Sequence, residues 1–344
     1  MSSRYKNAIY TLVVLLAMFL VYKWRQLGPG EQMLSFTGKT MGPIVYSVKY
    51  FDEAGRDFKS QVDSLLKVFN NSLNTYIPTS EISRFNKANA FVFELPFFYQ
   101  AVDVSHEIYK QTNGAFDPSI GPLINTWGFG YTEGIKKDSA VIDSLKQIVG
   151  MNKINYNQDS IWKSDDRLAL DFSASAKGYG VDVVLEYLKA QGIENAFVEI
   201  GGEVRVAGRN LQADGPWQVG ILNPNSDELN QYAMAIIKLE DKAMATSGNY
   251  FNYHIIDGVK YSHTISPFTG YPIEHPLLSA TVVADDCMRA DALATAFMVM
   301  GHEEAIKFLN EHPEYEAYLV FSDVSGNLST FATKGISENI KAID

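Results

Sequence analysis

The chain has 344 residues, 46% of them hydrophobic and 20% charged, with 29 basic and 40 acidic side chains and a formal net charge of −11. That length suits one large domain or two ordinary ones, and the composition excludes a disordered chain and a collagen-like repeat. A single cysteine, Cys287, excludes a disulfide scaffold and a Cys-rich zinc site, and the acidic balance (pI near 5.1) argues against a general nucleic-acid binder.

The predicted elements begin with an apolar run. Ala8 to Tyr22 reads AIYTLVVLLAMFLVY and carries no charge; Arg4 and Lys6 precede it, and Lys23 and Arg25 follow. The run is shorter than the roughly 20 residues of a spanning helix, and the aromatic flanks from Tyr5 to Trp24 bring it close. No small-x-small cleavage site follows it, and no cysteine for lipid attachment stands after it. An uncleaved signal anchor over residues 1–26 is therefore expected. Its basic N-terminus would lie in the cytoplasm and the rest of the chain outside the cytoplasmic membrane. Leu27 to Thr37 contains Gly28-Pro29-Gly30 and reads as a linker, with the folded domain set at 36–344.

Beyond it the pattern becomes mixed α/β. Ile44 to Phe51 is a strand by its β-branched and aromatic residues. Arg56 to Ser72 has helical spacing, with Phe58, Val62, Leu65, Leu66 and Phe69 on one face. Helices are also expected over Phe97 to Thr112 and Asp138 to Val149. A short strand, Leu168 to Phe172, runs into a helix from Ser175 to Gln191. Strands follow at Ala196 to Ile200, Glu203 to Ala207, Trp217 to Leu222 and Met234 to Leu239. Tyr250 to Ile256 and Val259 to Ile265 flank Asp257-Gly258, a strong hairpin signal. A strand at Ser279 to Ala284 precedes helices at Met288 to Met300 and His302 to Leu309. The strands Tyr315 to Phe321 and Leu328 to Ala332 close the chain. Helices and strands alternate irregularly among hairpins, which suggests an α+β or mixed α/β fold and not a repeated-unit barrel.

Several signatures are absent. Gly38-Lys39-Thr40 resembles the end of a phosphate loop, but position 33 is Met. No G-x-G-x-x-G follows a strand, neither His-Glu pair has its second histidine, and there is no G-x-S-x-G.

Four segments carry chemistry. Gly114 to Gly130, GAFDPSIGPLINTWGFG, combines glycines that permit close backbone approach with Trp127 and Phe129, flat enough to meet a planar ring. It reads equally as a tight aromatic loop capping the core. Leu170 to Asp182, LDFSASAKGYGVD, places small residues at a helix start, where backbone N–H groups favour phosphate. Lys177 opposes the helix dipole there, which makes sense if it faces an anion; a solvent-facing lysine is the alternative. His263 precedes a Pro-Phe-Thr-Gly turn from which a side chain can reach a ligand, although a lone histidine is usually structural. In ADALATA, Asp291 and Thr295 share one helix face among alanines, an oxygen-lined spot for a hard cation such as Mg²⁺. A helix-capping Asp291 and a Thr295 bonded to its own backbone fit the spacing as well.

Taken together, Gly38-Lys39-Thr40-Met41-Gly42, FDPSIGPLINTWGFG, LDFSASAKGYGVD, EIGGEVRVAG, ATSGNY and ADALATAFMVMG occur in the order found in the FAD:protein FMN transferase (ApbE) family, which the chain resembles from Phe36 to Ala332. The resemblance implies an ApbE-like mixed α/β fold of two interleaved subdomains with the flavin site between them. It implies an enzyme that uses Mg²⁺ to transfer FMN from FAD to a threonine or serine of a partner flavoprotein, releasing AMP. An FAD pyrophosphatase or a non-catalytic flavin-binding protein are the alternatives. Residue by residue, it assigns Met41, Trp127, Gly128, Phe129, Asp171, Lys177 and Ile265 to the FAD site. Asp291, Thr295, Ala294 and Ala174 go to the metal, and His263 becomes the catalytic base. Ser266 departs from the family, which often carries an aspartate before the proline.

Overall fold

Strands in this chain that alternate between two apolar sets must be buried on both faces, and that requirement organises the molecule. In the computed structural model, described over residues 15, 18, 32–130, 138–226, 231–249, 253–256 and 259–343, the elements run in this order. β1 (Gln32–Thr40) and β2 (Ile44–Asp52) precede α1 (Lys59–Leu73), α2 (Glu81–Asn86), β3 (Ala90–Val92), α3 (Phe98–Gln111), α4 (Gly121–Trp127) and α5 (Ser139–Lys146). Next come β4 (Ile154–Tyr156), β5 (Ser160–Lys163), α6 (Ala176–Ala190), β6 (Ala196–Ile200), β7 (Glu203–Ala207), β8 (Trp217–Leu222), β9 (Ala233–Leu239) and β10 (Ala243–Gly248). The chain continues through β11 (Tyr253–Ile256), β12 (Val259–Ser262), β13 (Leu277–Ala284), α7 (Cys287–Met300) and α8 (His302–Glu311). It ends in β14 (Glu316–Ser322), β15 (Leu328–Ala332), α9 (Lys334–Asn339) and β16 (Ile340–Ala342).

Eight strands form one antiparallel sheet in the order β1-β2-β6-β7-β10-β13-β14-β15. Successive side chains take opposite faces. In β14, Ala317 and Leu319 enter the helical core with Phe98, Phe172 and Phe297, whereas Tyr318 and Val320 face Trp217, Ile221 and Ile237. The first face is covered by helices, α7 above all. The second is covered by the small sheet β16-β9-β8. A satellite cluster joins α4 and α5 through Leu123, Trp127 and Ile142, and Ile265 packs into it.

Most predicted elements lie within two or three residues of these bounds, and three segments differ in kind. Gln32–Thr40 is a strand where a linker was expected to run to Thr37, because every one of its residues pairs with β2. Leu168 to Phe172 forms, among the described residues, a single parallel bridge, Ala169 to Ile120, and not a strand. Within the expected loop Gly114 to Gly130 lies α4, with Pro122 in its first turn and Gly128 (φ 79°) ending it. The two strands of the expected hairpin pair antiparallel from Tyr253↔Ser262 to Ile256↔Val259, while its Asp257-Gly258 turn lies outside the described residues. So does the apolar run Ala8 to Tyr22, except Leu15 and Met18. Among the described residues no helix is long and apolar enough to cross a membrane.

Candidate active site

A cavity of about 700 Å³ opens where the α4 cluster meets the main sheet-and-helix core. Its wall begins at the β1–β2 turn. Met41 adopts φ 49° and Gly42 φ 85°, and Met41 lines the cavity. A left-handed conformation is costly for a residue with a Cβ, so the turn holds Met41 in place against local preference. Beside it, the end of α1 supplies Asn70, Asn74, Thr75 and Tyr76. Asn70 Nδ2 donates to Thr40 Oγ1 at 2.8 Å, and Asn74 Nδ2 donates to Asn70 Oδ1 at 2.9 Å, which ties this wall to the β1–β2 turn.

The segment before α4 supplies Asp117. Its Oδ1 accepts the Ser119 N–H at 2.9 Å and the Ser119 hydroxyl at 2.6 Å. Burial pushes its carboxyl up to about 6, and the Ser119 donors oppose that rise. Gly128 and Phe129 follow on the same wall. Trp127 turns inward instead. It is buried, its Nε1 donates to the Gly270 carbonyl at 2.8 Å, and its ring meets Tyr271 edge-on. It thereby fastens the loop that carries His263, Ile265 and Pro267 along another side of the cavity. Ser266 shapes that loop: its N–H donates to the Tyr271 carbonyl and its carbonyl accepts from the Gly270 N–H.

The start of α6 forms the floor. Asp171 Oδ1 accepts the Ser173 N–H at 2.8 Å, an Asx turn that leads into the helix. Ser173, Ala174, Ala176 and Lys177 follow along the cavity. Lys177 Nζ donates to Glu203 Oε1 at 2.6 Å, so its unfavourable place in the first helical turn is answered by an anion of this chain. Asp291 and Thr295 reach the cavity from α7, and Ser247 Oγ lies 3.4 Å from Thr295 Oγ1.

Asp291 does not cap its own helix. Asp286 does, accepting the Arg289 N–H at 2.9 Å. Asp291 Oδ2 instead accepts the Gly178 N–H at 3.0 Å, one of the unpaired donors in the first turn of α6. Asp182 of α6 returns the arrangement, accepting the Cys287 and Met288 N–H groups of α7 at 2.8 Å each. The two helices thus cap each other through carboxylates. Burial and the neighbouring Glu203 push Asp291 up to about 8, against the opposing pull of Lys177. Burial likewise raises Glu203. Burial would depress Lys177, yet Glu203 and Asp291 hold its ammonium above the ordinary lysine range. Burial also raises the Cys287 thiol far above its usual value, which makes it a packed core residue and not a nucleophile.

Among the described residues there is no group of three or more His, Cys, Asp or Glu side chains arranged to hold a metal ion. The donors here are the Asp291 carboxylate and the Thr295 and Ser247 hydroxyls. That oxygen-only set fits Mg²⁺, which takes one or two carboxylates and fills its shell with water and substrate phosphates. Burial also leaves the Asp291 carboxyl short of positive charge, a deficit that a cation would make good.

A model of the ApbE family matches residues 41–319. The chain belongs to the ApbE family. A curated FAD:protein FMN transferase of Vibrio cholerae is 40% identical over 290 residues, which is 81% of this chain and 84% of the relative. One from Haemophilus influenzae is 34% identical over 320 residues, covering 89% and 90%. The solved structure of the flavin transferase ApbE from Vibrio cholerae matches with a TM-score of 0.80 at 34% identity, covering 90% of this chain and 99% of that one. The mixed α/β architecture is that of the family.

In this ApbE-family chain the cavity brings together Met41, Gly128, Phe129, Asp171, Ala174, Lys177, His263, Ile265, Asp291 and Thr295. Trp127 and Ala294 are not among its lining residues; Ala294 is fully buried in the helical core. Asp117, Asn70, Asn74 and Tyr76 line the cavity without having been singled out in the sequence. The run of asparagines closing α1 was the available signal, since asparagine side chains fold back on the chain at helix ends.

Proposed function

We propose that this chain is an FAD:protein FMN transferase that moves FMN from FAD to a threonine or serine hydroxyl of a partner flavoprotein and releases AMP. The observation that carries the reading is one cavity lined at once by the oxygen donors Asp291 and Thr295, the cation Lys177 and the imidazole of His263. Its volume of about 700 Å³ lies within the range of small-molecule sites. The curated relatives it matches are named FAD:protein FMN transferases.

In this reading Met41, Phe129 and Ile265 offer apolar contact to the flavin, Gly128 and Asp171 frame it, and Lys177 meets the diphosphate. Asp291 and Thr295 would hold Mg²⁺, with Ala174 on the same cavity wall. When bound, that ion supplies positive charge to the diphosphate and to the departing AMP. His263 accepts the proton of the acceptor hydroxyl. The hydroxyl oxygen bonds to the phosphorus on the FMN side as the bond from that phosphorus to the AMP oxygen breaks. Base assistance of this kind is worth about 10²–10⁴ in rate, and a fixed pose of the acceptor contributes the remainder through positioning. We also propose that residues 1–26 anchor the chain in the cytoplasmic membrane, with the catalytic domain on the periplasmic side, because the run Ala8 to Tyr22 is apolar on every face and flanked by basic residues.

Incubation with FAD, Mg²⁺ and a candidate carrier domain tests the activity. A carrier heavier by FMN, seen by mass spectrometry, supports transfer. Release of FMN and AMP beside an unlabelled carrier replaces transfer with hydrolysis, and intact FAD overturns both.

A further inference from the structure

Glu203 begins β7 directly after Gly201 and Gly202, whose φ values of 61° and 101° suit glycine. A Cβ on Gly201 would lie 2.8 Å from Ile44 Cγ2, 3.4 Å from Lys177 Cδ and 3.8 Å from Glu203 Oε2. Only the Ile44 contact would be a clash, and the turn packs at ordinary contact distance against the lysine stem and the carboxyl. Glu203 is 2% exposed; its Oε1 accepts from Lys177 Nζ at 2.6 Å, and its Oε2 is buried with no hydrogen-bond partner among the described residues. Lys177 keeps 29% of its side chain exposed and lines the cavity. Its ammonium is thus held by Glu203 while the side chain lines the cavity. Asp291, also buried, is near enough to act on the same charge.

This pair is a poor device for stability alone. Desolvating two charges often costs as much as their attraction returns, and apolar residues of similar volume do as well or better. An orphaned carboxylate oxygen adds to the cost. What the arrangement does provide is a fixed choice of partner: between two buried carboxylates, Lys177 goes to Glu203.

We propose that Glu203 is a positioning residue that holds the Lys177 ammonium at the cavity wall, against the diphosphate of FAD and off Asp291. The proposal rests on the reading of the cavity as an FAD site. When Glu203 loses its charge, Asp291 becomes the buried anion nearest Lys177, and the ammonium turns away from the ligand.

Flavin fluorescence titrations of the full chain in metal-free buffer test this, with FAD compared against riboflavin, which has the same ring and no diphosphate. Glu203→Gln keeps the shape of the side chain and removes its charge. It is expected to weaken FAD about tenfold, the scale of one charge-assisted hydrogen bond, and to leave riboflavin within about twofold. Glu203→Asp restores the charge at shorter reach and recovers part of the loss. Placed on a Lys177→Met background, Glu203→Gln produces no further loss, because the residue acts through that lysine. Wild-type FAD affinity in Glu203→Gln, equal losses for FAD and riboflavin, or a full additional loss on the Lys177→Met background each overturn the proposal. A wild-type chain that fails to bind FAD overturns the FAD reading and the proposal with it, whereas wild-type binding with an unaffected Glu203→Gln overturns the proposal alone.

Discussion

Replacing Asp117 by asparagine should make the protein more stable at neutral pH, although Asp117 lines the cavity. The residue is 7% exposed, and burial pushes its carboxyl from an ordinary 3.8 up to about 6. A carboxyl that holds its proton more tightly in the folded state contributes stability in full below the unfolded pKa. That contribution is lost as the pH rises through about 6. Above that point the buried charge acts against folding. A rise of about two pKa units at about 1.4 kcal/mol per unit sets the cost near 3 kcal/mol. Asparagine keeps an oxygen to accept the Ser119 N–H and hydroxyl, at 2.9 and 2.6 Å, and carries no charge. The stability of Asp117→Asn relative to wild type should therefore rise by about 3 kcal/mol between about pH 3 and about pH 7, most steeply around pH 5. Urea unfolding of both proteins at matched pH values measures this, and the difference removes the titration of every other group. Parallel stability profiles, or a variant that falls relative to wild type with rising pH, would refute the reasoning.

Asp182→Ala removes the acceptor of the Cys287 and Met288 N–H groups and leaves Arg205 with Glu186 as its remaining partner. Urea unfolding should show a loss of about 1–3 kcal/mol, the cost of unsatisfied buried donors. His263→Ala should lower single-turnover FMN transfer by about 10²–10⁴ while FAD affinity, read by flavin fluorescence, changes little; an unchanged transfer rate excludes His263 as the base. Trp127→Phe loses the 2.8 Å bond to the Gly270 carbonyl and should cost about 1 kcal/mol in unfolding. Its transfer rate should fall too, because the loop it fastens carries His263, and retention of the full wild-type rate would show that the loop holds its place without this bond.

The long periodic segments were legible because burial repeats at the helical or strand period: Val62, Leu66 and Phe69 of α1, or the alternation through β14. β1 was hidden because its exposed residues are polar at Ser35, Thr37 and Lys39, so its outer face gives little strand signal. α4 was hidden because glycine and proline dominate the surrounding segment, although Pro122 and Gly128 are the residues that begin and end a helix. The motifs located the floor of the cavity, since Lys177, Asp291 and Thr295 stand in short segments of small residues. They did not reveal who pairs with whom. The partners Lys177–Glu203, Asp291–Gly178 and Asp182–Cys287 are separated by 26, 113 and 105 residues, and only the sheet order brings them together. Asp117 went unread because its burial is a property of the folded core and not of its neighbours in sequence.

The mutual capping of α6 and α7 explains how one carboxylate can serve both the fold and the chemistry. A Cβ on Gly178 would sit 2.2 Å from the Cys287 carbonyl oxygen and 2.8 Å from the Asp291 Cβ, so only glycine allows the helices this approach. The close approach lets the Gly178 N–H reach Asp291 Oδ2 at 3.0 Å. It also lets Asp182 reach the first N–H groups of α7. Asp291 is thus held by a backbone donor in a rigid helix, which fixes a carboxylate more tightly than a flexible side chain can. The bond occupies one oxygen, and the residue still lines the cavity beside Thr295. A cation placed there would meet a carboxylate already oriented by the packing of two helices, with Glu203 keeping the competing ammonium of Lys177 to itself.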